Sequence, residues 1–181
     1  MISTNSQDKR NKGQLKAKNT EHFPIIALGA SAGGLDALKE FFANLPENPG
    51  AAFVVVVHLS PGHPSILPEI IQKETHLKVC SAKDGETIAP NNVYIIPPNT
   101  EITVDKRKIQ LSEIKVKKLP LPVDAFFHSL AKDSGRQAVG IILSGTGTDG
   151  SKGIREIKAH EGLVAASFRI RSRVQGAVTG T

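Results

Sequence analysis

The amino-acid sequence predicts an α/β fold: a doubly wound, mostly parallel sheet with helices on both faces and a small antiparallel hairpin. Apolar, β-branched runs alternate along the chain with segments of helical periodicity. The runs at 51–57 and 138–143 contain no polar side chain, which is typical of strands buried on both faces. A chain of 181 residues is long enough for one domain with a sizeable core.

The periodicity places helices between most of the strands. Pro24 can open the first strand because proline is tolerated at a strand's first residue, and Gly135 is expected to end a helix. Helices are expected from residue 32 to about 44, from about 65 through 71, over 123–131 and through 154–158. Strands are expected at 25–28, 51–57, 93–96, 138–143 and 162–167, a short segment at 78–81, and a hairpin at 101–104 and 108–111.

The first strand joins the first helix through a small-residue turn with Ser31 at its centre. Gly-x-Ser-x-Gly between a strand and a helix is the signature of a nucleophile elbow. Gly29, Gly33 and Gly34 have no Cβ, so they are expected to let the backbone pass closely on both sides of the serine. The alternative is a glycine-rich turn in which Ser31 caps the helix, because serine is a favoured N-cap residue.

Three buried strands end in polar loops, and each loop offers one candidate catalytic group: Ser31, His58 or Asp149. The carboxyl ends of parallel strands share one rim of a sheet, where ligands bind. A serine nucleophile needs a base, and a carboxylate orients an imidazole base. The pattern predicts a Ser-His-Asp triad, in a chain order unlike that of α/β-hydrolases. The alternatives are a structural strand-end histidine and an aspartate that caps the helix that follows.

Residues 145–150 also read Gly-x-Gly-x-x-Gly between a strand and a helix, which is the dinucleotide-binding fingerprint. A nucleotide-binding module is therefore the alternative function. Two features count against it: Asp149 puts a carboxylate where a pyrophosphate would bind, and arginines, not an acid, lie about 20 residues further on. No cofactor is expected. No metal is expected either, since His58 and His63 lack the spacing of a helical zinc pair.

Composition limits the compartment and the partners. The single cysteine, Cys80, excludes an intrachain disulfide and a cysteine-rich zinc site, and it fits a reducing cytosol. The apolar runs are too short to span a bilayer and the N-terminus lacks a signal-peptide core, so a cytoplasmic protein without membrane insertion is expected. Most of the net charge of +6 lies in the two ends, and there is no tryptophan, so no nucleic-acid partner is expected.

Five sequence blocks give the chain a specific resemblance. In order, they are IALGASAGGLDAL (26–38), VVHLSP (56–61), AKDGETIAPNNVYIIPP (82–98), VDAFFHSLA (123–131) and AVGIILSGTGTDG (138–150). With these blocks, residues 24–165 resemble the catalytic domain of the CheB chemotaxis protein-glutamate methylesterases. The resemblance implies that Ser31 is the nucleophile, His58 the base and Asp149 the residue that orients the base. It implies hydrolysis of γ-glutamyl methyl esters, and in some members of glutamine amides, on the cytoplasmic helices of methyl-accepting chemoreceptors.

Several features qualify this resemblance. The backbone N–H groups of Ala32 and Thr146 are candidates for an oxyanion hole. Many members carry Thr and Met at these positions, and this chain resembles the variant fused to a CheR-type methyltransferase, which adds a methyltransferase module as a candidate partner. A disordered basic leader is expected over 1–21, the catalytic domain over 22–168 and a diverged or truncated tail over 169–181. Because of that tail, a catalytically dead domain that binds receptor or methyltransferase is a further alternative.

Overall fold

A computed structural model describes residues 22–57, 66–114, 121–144 and 149–166. Over these ranges it contains eight strands: β1 (Ile25–Ala30), β2 (Ala52–Val57), β3 (Lys78–Ser81), β4 (Asn92–Ile95), β5 (Thr100–Asp105), β6 (Lys108–Glu113), β7 (Ala138–Ser144) and β8 (Leu163–Ala166). It contains four α-helices: α1 (Leu35–Ala43), α2 (Leu67–Gln72), α3 (Pro122–Ser134) and α4 (Ser151–Ala159). Short 3₁₀ turns precede α1 (Ala32–Gly34) and follow α3 (Gly135–Gln137).

Six strands form one sheet in the order β3-β4-β2-β1-β7-β8. Every neighbouring pair in this sheet is parallel. The chain builds one half of the sheet through β2, β3 and β4, and then builds the other half through β7 and β8. β1 therefore lies at the centre, beside the switch point where open α/β sheets bind ligands.

Helices cover both faces of the sheet, as predicted. On one face, the Phe53 ring of β2 packs edge-on against Phe41 and Phe42 of α1, with centroid separations of 6.1 and 5.8 Å. Phe53 pairs with Ile26 of β1, so Gly29, three residues further along, faces the opposite side. There a Cβ on Gly29 would lie 2.6 Å from Cγ1 of Val123 in α3. The helices α1 and α3 therefore lie on opposite faces.

The sequence boundaries differ from the structure at the end of β1. The first strand was expected to end at residue 28, but it continues through Gly29 and Ala30. Both residues pair with β2 and with β7, and this pairing overrides their low strand propensity. The helix was expected from residue 32, but a 3₁₀ turn occupies Ala32–Gly34 and α1 begins at Leu35. Adjacent glycines are poor helix formers, which explains the later start.

The predicted hairpin forms a two-stranded sheet of its own. Its turn residues Lys106 and Arg107 both have positive φ, 49° and 57°, as a two-residue type I′ turn requires. Neighbouring groups bind the backbone of both strands. The Val104 N–H donates to the Ser129 hydroxyl of α3 at 3.0 Å, and the Leu111 N–H donates to the Asp84 carboxylate at 2.8 Å. These contacts hold the hairpin against α3 and occupy part of its edges.

The Arg107 side chain joins three segments at the edge of the sheet where β1 begins. Its guanidinium lies 4.0 Å from the centroid of the Phe23 ring, and Nη2 donates to the Phe23 carbonyl at 2.8 Å. Nη1 donates to Oε1 of Gln137 at 2.9 Å, just after α3. Burial lowers the pKa of Arg107, and the nearby Asp133 carboxylate opposes that shift. Arg107 thus fixes the hairpin against the start of β1 and the end of α3.

Some expectations concern residues outside the described ranges: the leader over 1–21, the tail over 169–181 and the exact start of the second helix, near residue 65. α2 is described from Leu67 onward. No helix in the described part of the chain is long and apolar enough to cross a membrane.

Replacing Gly29 by alanine is expected to destabilise the fold by about 1–3 kcal/mol, because the new Cβ overlaps Val123 and Ile142. Urea denaturation of Gly29→Ala measures the free energy of unfolding. The matched control is Gly33→Ala in the same motif, where a Cβ has no neighbour within 4 Å in the part of the chain that the structure describes. We expect the control to stay within about 0.5 kcal/mol of wild type. Equal stability of the two variants would contradict this packing.

Candidate active site

The three central strands β1, β2 and β7, which the sequence predicts to precede the catalytic residues, end at one rim of the sheet. Ala30, the last residue of β1, pairs with Val57 of β2 and with Ser144 of β7. The register shifts at the end of β1, where β7 carries one extra residue, and such bulges are frequent beside active sites. Ser31 follows Ala30 directly. Of the predicted site residues, Ser31, Ala32 and Asp149 are described, whereas His58 and Thr146 lie outside the described ranges.

Ser31 has extended backbone, with φ −84° and ψ 174°, at the N-cap position of the 3₁₀ turn. Its carbonyl accepts the Gly34 N–H at 2.8 Å. Its side chain makes no capping hydrogen bond, and the N-cap position of α1 itself is occupied by Gly34. The alternative in which Ser31 is a helix cap is therefore wrong. The hydroxyl stands half-exposed at the end of β1 instead.

The glycines around Ser31 have different roles. A Cβ on Gly29 would lie 2.6 Å from Val123 Cγ1 and 3.0 Å from Ile142 Cδ1, so this position needs glycine for close approach. The same expectation for Gly33 is not met among the described residues, where a Cβ on Gly33 would have no neighbour within 4 Å. Among the described residues, close packing is therefore found on the Gly29 side of the serine and not at Gly33.

Asp149 binds the N-terminus of α3. Its Oδ2 accepts the Val123 N–H at 3.1 Å and its Oδ1 accepts the Asp124 N–H at 2.9 Å. Leu121, at the N-cap position of α3, makes no side-chain cap, and Asp149, which lies 25 positions after Asp124 in sequence, supplies one. A carboxylate has about four lone-pair sites, so it can accept further hydrogen bonds besides these two.

The alternative in which Asp149 caps the helix that follows it is not what the structure shows: its carboxylate binds the start of α3, not that of α4. The N-cap position of α4 is occupied by Gly150, with φ 92° and no side-chain cap. Glycine suits this left-handed conformation, and a Cβ here would lie 2.5 Å from Ile142 Cδ1. Gly150 therefore turns the chain so that Asp149 faces α3 rather than α4.

The Val123 side chain packs against the end of β1 and the residue that precedes α4. Its Cγ1 would lie 2.6 Å from a Cβ on Gly29 and 2.9 Å from a Cβ on Gly150. The side chain thus packs between the residue two positions before Ser31 and the residue directly after Asp149. Its own N–H binds the Asp149 carboxylate. The first turn of α3 therefore sets where Asp149 lies relative to the end of β1.

Sequence reasoning missed Asp124. Its Oδ1 accepts the Gly153 N–H, in the first turn of α4, at 2.7 Å. The available signal was an aspartate directly after Pro122-Val123, where a helix start favours acidic side chains. Periodicity gave no sign that its partner would be another helix.

The same contact bears on the nucleotide-binding alternative. Residues 145–148 of the glycine motif lie outside the described ranges, but the first turn of α4 is described. A pyrophosphate at that helix start would need N–H groups there, and Asp124 already accepts the Gly153 N–H. Among the described residues, no group of three or more histidine, cysteine, aspartate or glutamate side chains is placed to hold a metal ion.

Comparisons with known proteins agree on one family. The family model described as CheB methylesterase matches residues 26–178. The chain is 34% identical over 137 residues to a protein of Enterobacter cloacae named protein-glutamate methylesterase/protein-glutamine glutaminase. It is 35% identical over 136 residues to a protein of the same name in Salmonella typhimurium. Each match covers 72% of this chain and 38% of the relative, so the chain spans about two fifths of these relatives' length.

A solved structure supports the same assignment. The catalytic domain of the Thermotoga maritima CheB methylesterase superimposes with a TM-score of 0.70 at 32% sequence identity. The match covers 79% of this chain and 78% of that one. The α/β fold predicted from the sequence is therefore confirmed, both by the sheet and by this neighbour.

Replacing Asp149 by alanine is expected to lower the free energy of unfolding by about 1–3 kcal/mol, because the N–H groups of Val123 and Asp124 lose their acceptor. Asp149→Asn keeps one carbonyl oxygen and should lose less. Urea denaturation gives both values. The exposed Asp36, in the first turn of α1, is the matched control, and Asp36→Ala should cost less than about 0.5 kcal/mol. An Asp149→Ala protein as stable as Asp36→Ala would contradict the capping role.

Proposed function

The chain belongs to the CheB methylesterase family, and we propose that it is a protein-glutamate methylesterase with a Ser31-His58-Asp149 triad. The substrates are γ-glutamyl methyl esters on chemoreceptors, together with receptor glutamine amides. The observation that carries the proposal is the position of Ser31 at the end of β1, which lies between β2 and β7 in the sheet. There the Ser31 side chain makes no helix-capping hydrogen bond. The family's curated members are named for both reactions.

The strand register supports His58 as the base. Ala30 and Val57 are partners on adjacent parallel strands, and such strands lie about 4.8 Å apart. Ser31 and His58 are the residues that directly follow this pair in the sequence. A serine hydroxyl needs a base within hydrogen-bond reach, and an imidazole at this position meets that need.

Hydrolysis proceeds in two halves. His58 takes the proton of the Ser31 hydroxyl as Oγ bonds to the ester carbonyl carbon, and the C–O bond to the methoxy group then breaks. His58 returns the proton to the departing methanol, which leaves a glutamyl ester on Ser31. Water attacks this acyl-enzyme with His58 as the base, and the glutamate side chain and the free serine are regenerated. Asp149 orients the imidazole and stabilises its charged form.

Backbone N–H groups supply the oxyanion hole in this proposal, from Ala32 and Thr146. Ala32 is the first residue of the 3₁₀ turn, and the first N–H groups of a helix have no partner inside it. A donor there points at charge that develops next to Ser31. One such donor contributes about 3 kcal/mol to transition-state stabilisation.

The partners in this proposal are the cytoplasmic helices of methyl-accepting chemoreceptors and a methyltransferase module. A cytoplasmic location follows from these partners, and the free thiol of Cys80 fits it. The catalytic unit comprises residues 22–168. The non-enzymatic alternative, a domain that binds receptor without hydrolysing it, differs from this proposal in one measurable property, methanol release.

Replacing Ser31 by alanine is expected to lower methanol release from methylated receptor at least about a thousandfold, because the acyl-enzyme cannot form. Release of labelled methanol measures the rate. Ser112→Ala is the matched control, since Ser112 is an exposed serine on β6, and it should keep wild-type activity. A Ser31→Ala protein that still releases methanol would refute the triad. A wild-type protein that binds methylated receptor without releasing methanol would favour the non-enzymatic alternative.

Replacing His58 by glutamine is expected to slow covalent labelling of Ser31 by a fluorophosphonate at least about a hundredfold, because the hydroxyl loses its base. Mass spectrometry of the labelled peptide follows the reaction. His76→Gln changes an exposed histidine just after α2 and serves as the control, with an unchanged labelling rate. Equal rates for both variants would exclude His58 as the base.

A further inference from the structure

We infer that Asp124 is a positioning residue for catalysis: its carboxylate, by binding the first turn of α4, holds Asp149 in the orientation that the triad needs. The inference rests on the proposed function, because it assigns Asp149 its role in the triad. It adds a residue that contacts neither the substrate nor Ser31 and acts through Asp149.

The starts of α3 and α4 are linked by two aspartates, each of which accepts backbone N–H groups of the other helix. Asp149, which precedes α4, accepts two N–H groups from the first turn of α3, at 2.9 and 3.1 Å. Asp124, in the first turn of α3, accepts the Gly153 N–H from the first turn of α4, at 2.7 Å. The chain connects Asp149 to Gly153 through only three residues. The two contacts therefore close a small ring that contains the Asp149 backbone and side chain.

Close packing leaves this ring little freedom. A Cβ on Gly153 would lie 2.4 Å from Cβ of Phe127 and 3.3 Å from Cα of Asp124, so the two helices meet where only glycine fits. On the other side, Val123 fills the space against Gly150. With the Asp124 carboxylate in place, α4 cannot slide along α3 without losing a charge-assisted hydrogen bond.

Electrostatics explain why two carboxylates are stable so close together. Each lies at the N-terminus of the opposite helix, where the free N–H groups and the helix dipole favour negative charge. Without the Asp124 carboxylate, the Gly153 N–H loses its acceptor and the first turn of α4 is no longer tied to α3. Asp149 is attached directly to that turn. A small displacement of a triad member from productive geometry lowers the rate by up to about a hundredfold.

The test compares Asp124→Ala, Asp124→Asn and a matched control in the whole chain. Asp133→Ala is the control: Asp133 lies in the last turn of the same helix, and its carboxylate also accepts a backbone N–H, that of Arg107 at 3.1 Å. Both aspartates therefore make the same kind of bond at opposite ends of α3. Methanol release from methylated receptor gives kcat and KM per folded molecule, and circular dichroism in urea gives the folded fraction.

We expect Asp124→Ala to lower kcat about tenfold to a hundredfold with KM within twofold of wild type, and Asp124→Asn, which keeps an oxygen acceptor, to recover most of that loss. Asp133→Ala should keep the wild-type kcat. In an Asp149→Ala background, Asp124→Ala should lower kcat no further, because the residue it positions is gone. A purely stabilising role would leave kcat per folded molecule unchanged.

Two results would overturn the inference: a kcat for Asp124→Ala within twofold of wild type, or an equal loss with and without Asp149. Should Asp124→Ala fail to fold, Asp124→Ser replaces it and the same two results decide. Failure of the proposed function looks different, since wild-type protein would then release no methanol. The fluorophosphonate labelling rate of Ser31 would still decide whether Asp124 acts on the site, by the same comparison of variants.

Discussion

The parallel pairing of β1 between β2 and β7 is the constraint on which the rest of the structure depends. It carries the chain to Ser31 in the middle of the sheet, where both neighbouring strands end at the same level. It also requires Gly29, because α3 crosses that face so closely that Val123 occupies the space of a Cβ. The start of α3 is thereby fixed beside the end of β1, and Asp149 is bound to that helix start. Strand pairing, helix packing and the proposed chemistry are thus successive consequences of one arrangement.

The two ends of α3 have different roles: contacts at its C-terminal end stabilise the fold, and contacts at its N-terminal end lie beside the candidate site. At the sheet edge where β1 begins, Arg107 binds Phe23 and Gln137 and draws the hairpin against the helix. At the opposite edge, the same helix offers its N-terminal N–H groups to Asp149. The contacts at the far edge stabilise the helix without approaching the site. The contacts between Asp149 and the N-terminus of α3 stabilise the helix and also lie at the candidate site. The residues that shape the site therefore also stabilise the fold.

Much of the fold was predictable because the spacing of apolar residues along the chain indicates which faces of the strands and helices are buried. The apolar run of β2 is fully buried, as its composition indicates, and the helix over 123–131 is found within α3. The position of Ser31 between a strand and a helix was equally predictable from the sequence. The partner of Asp149 was not, because the sequence shows that an aspartate can cap a helix but not which helix lies against it. Gly33 was misinterpreted for the same reason: a glycine in a motif does not reveal whether backbone or open space lies beside it. Asp124 was missed because its importance depends on a contact between two helices.

The pairing of β1 with β7 also has a consequence for how the protein is made. β1 is synthesised before the other strands of the sheet, yet its neighbour on one side begins only at Ala138, more than a hundred residues later. Asp149 and Gly153, which make the contacts with the start of α3, come later still. A nascent chain that has left the ribosome as far as the hairpin therefore has β2 to pair with β1 but not yet β7. Contacts this distant in sequence form slowly, so the site is completed among the last events of folding rather than with the strand that carries its nucleophile.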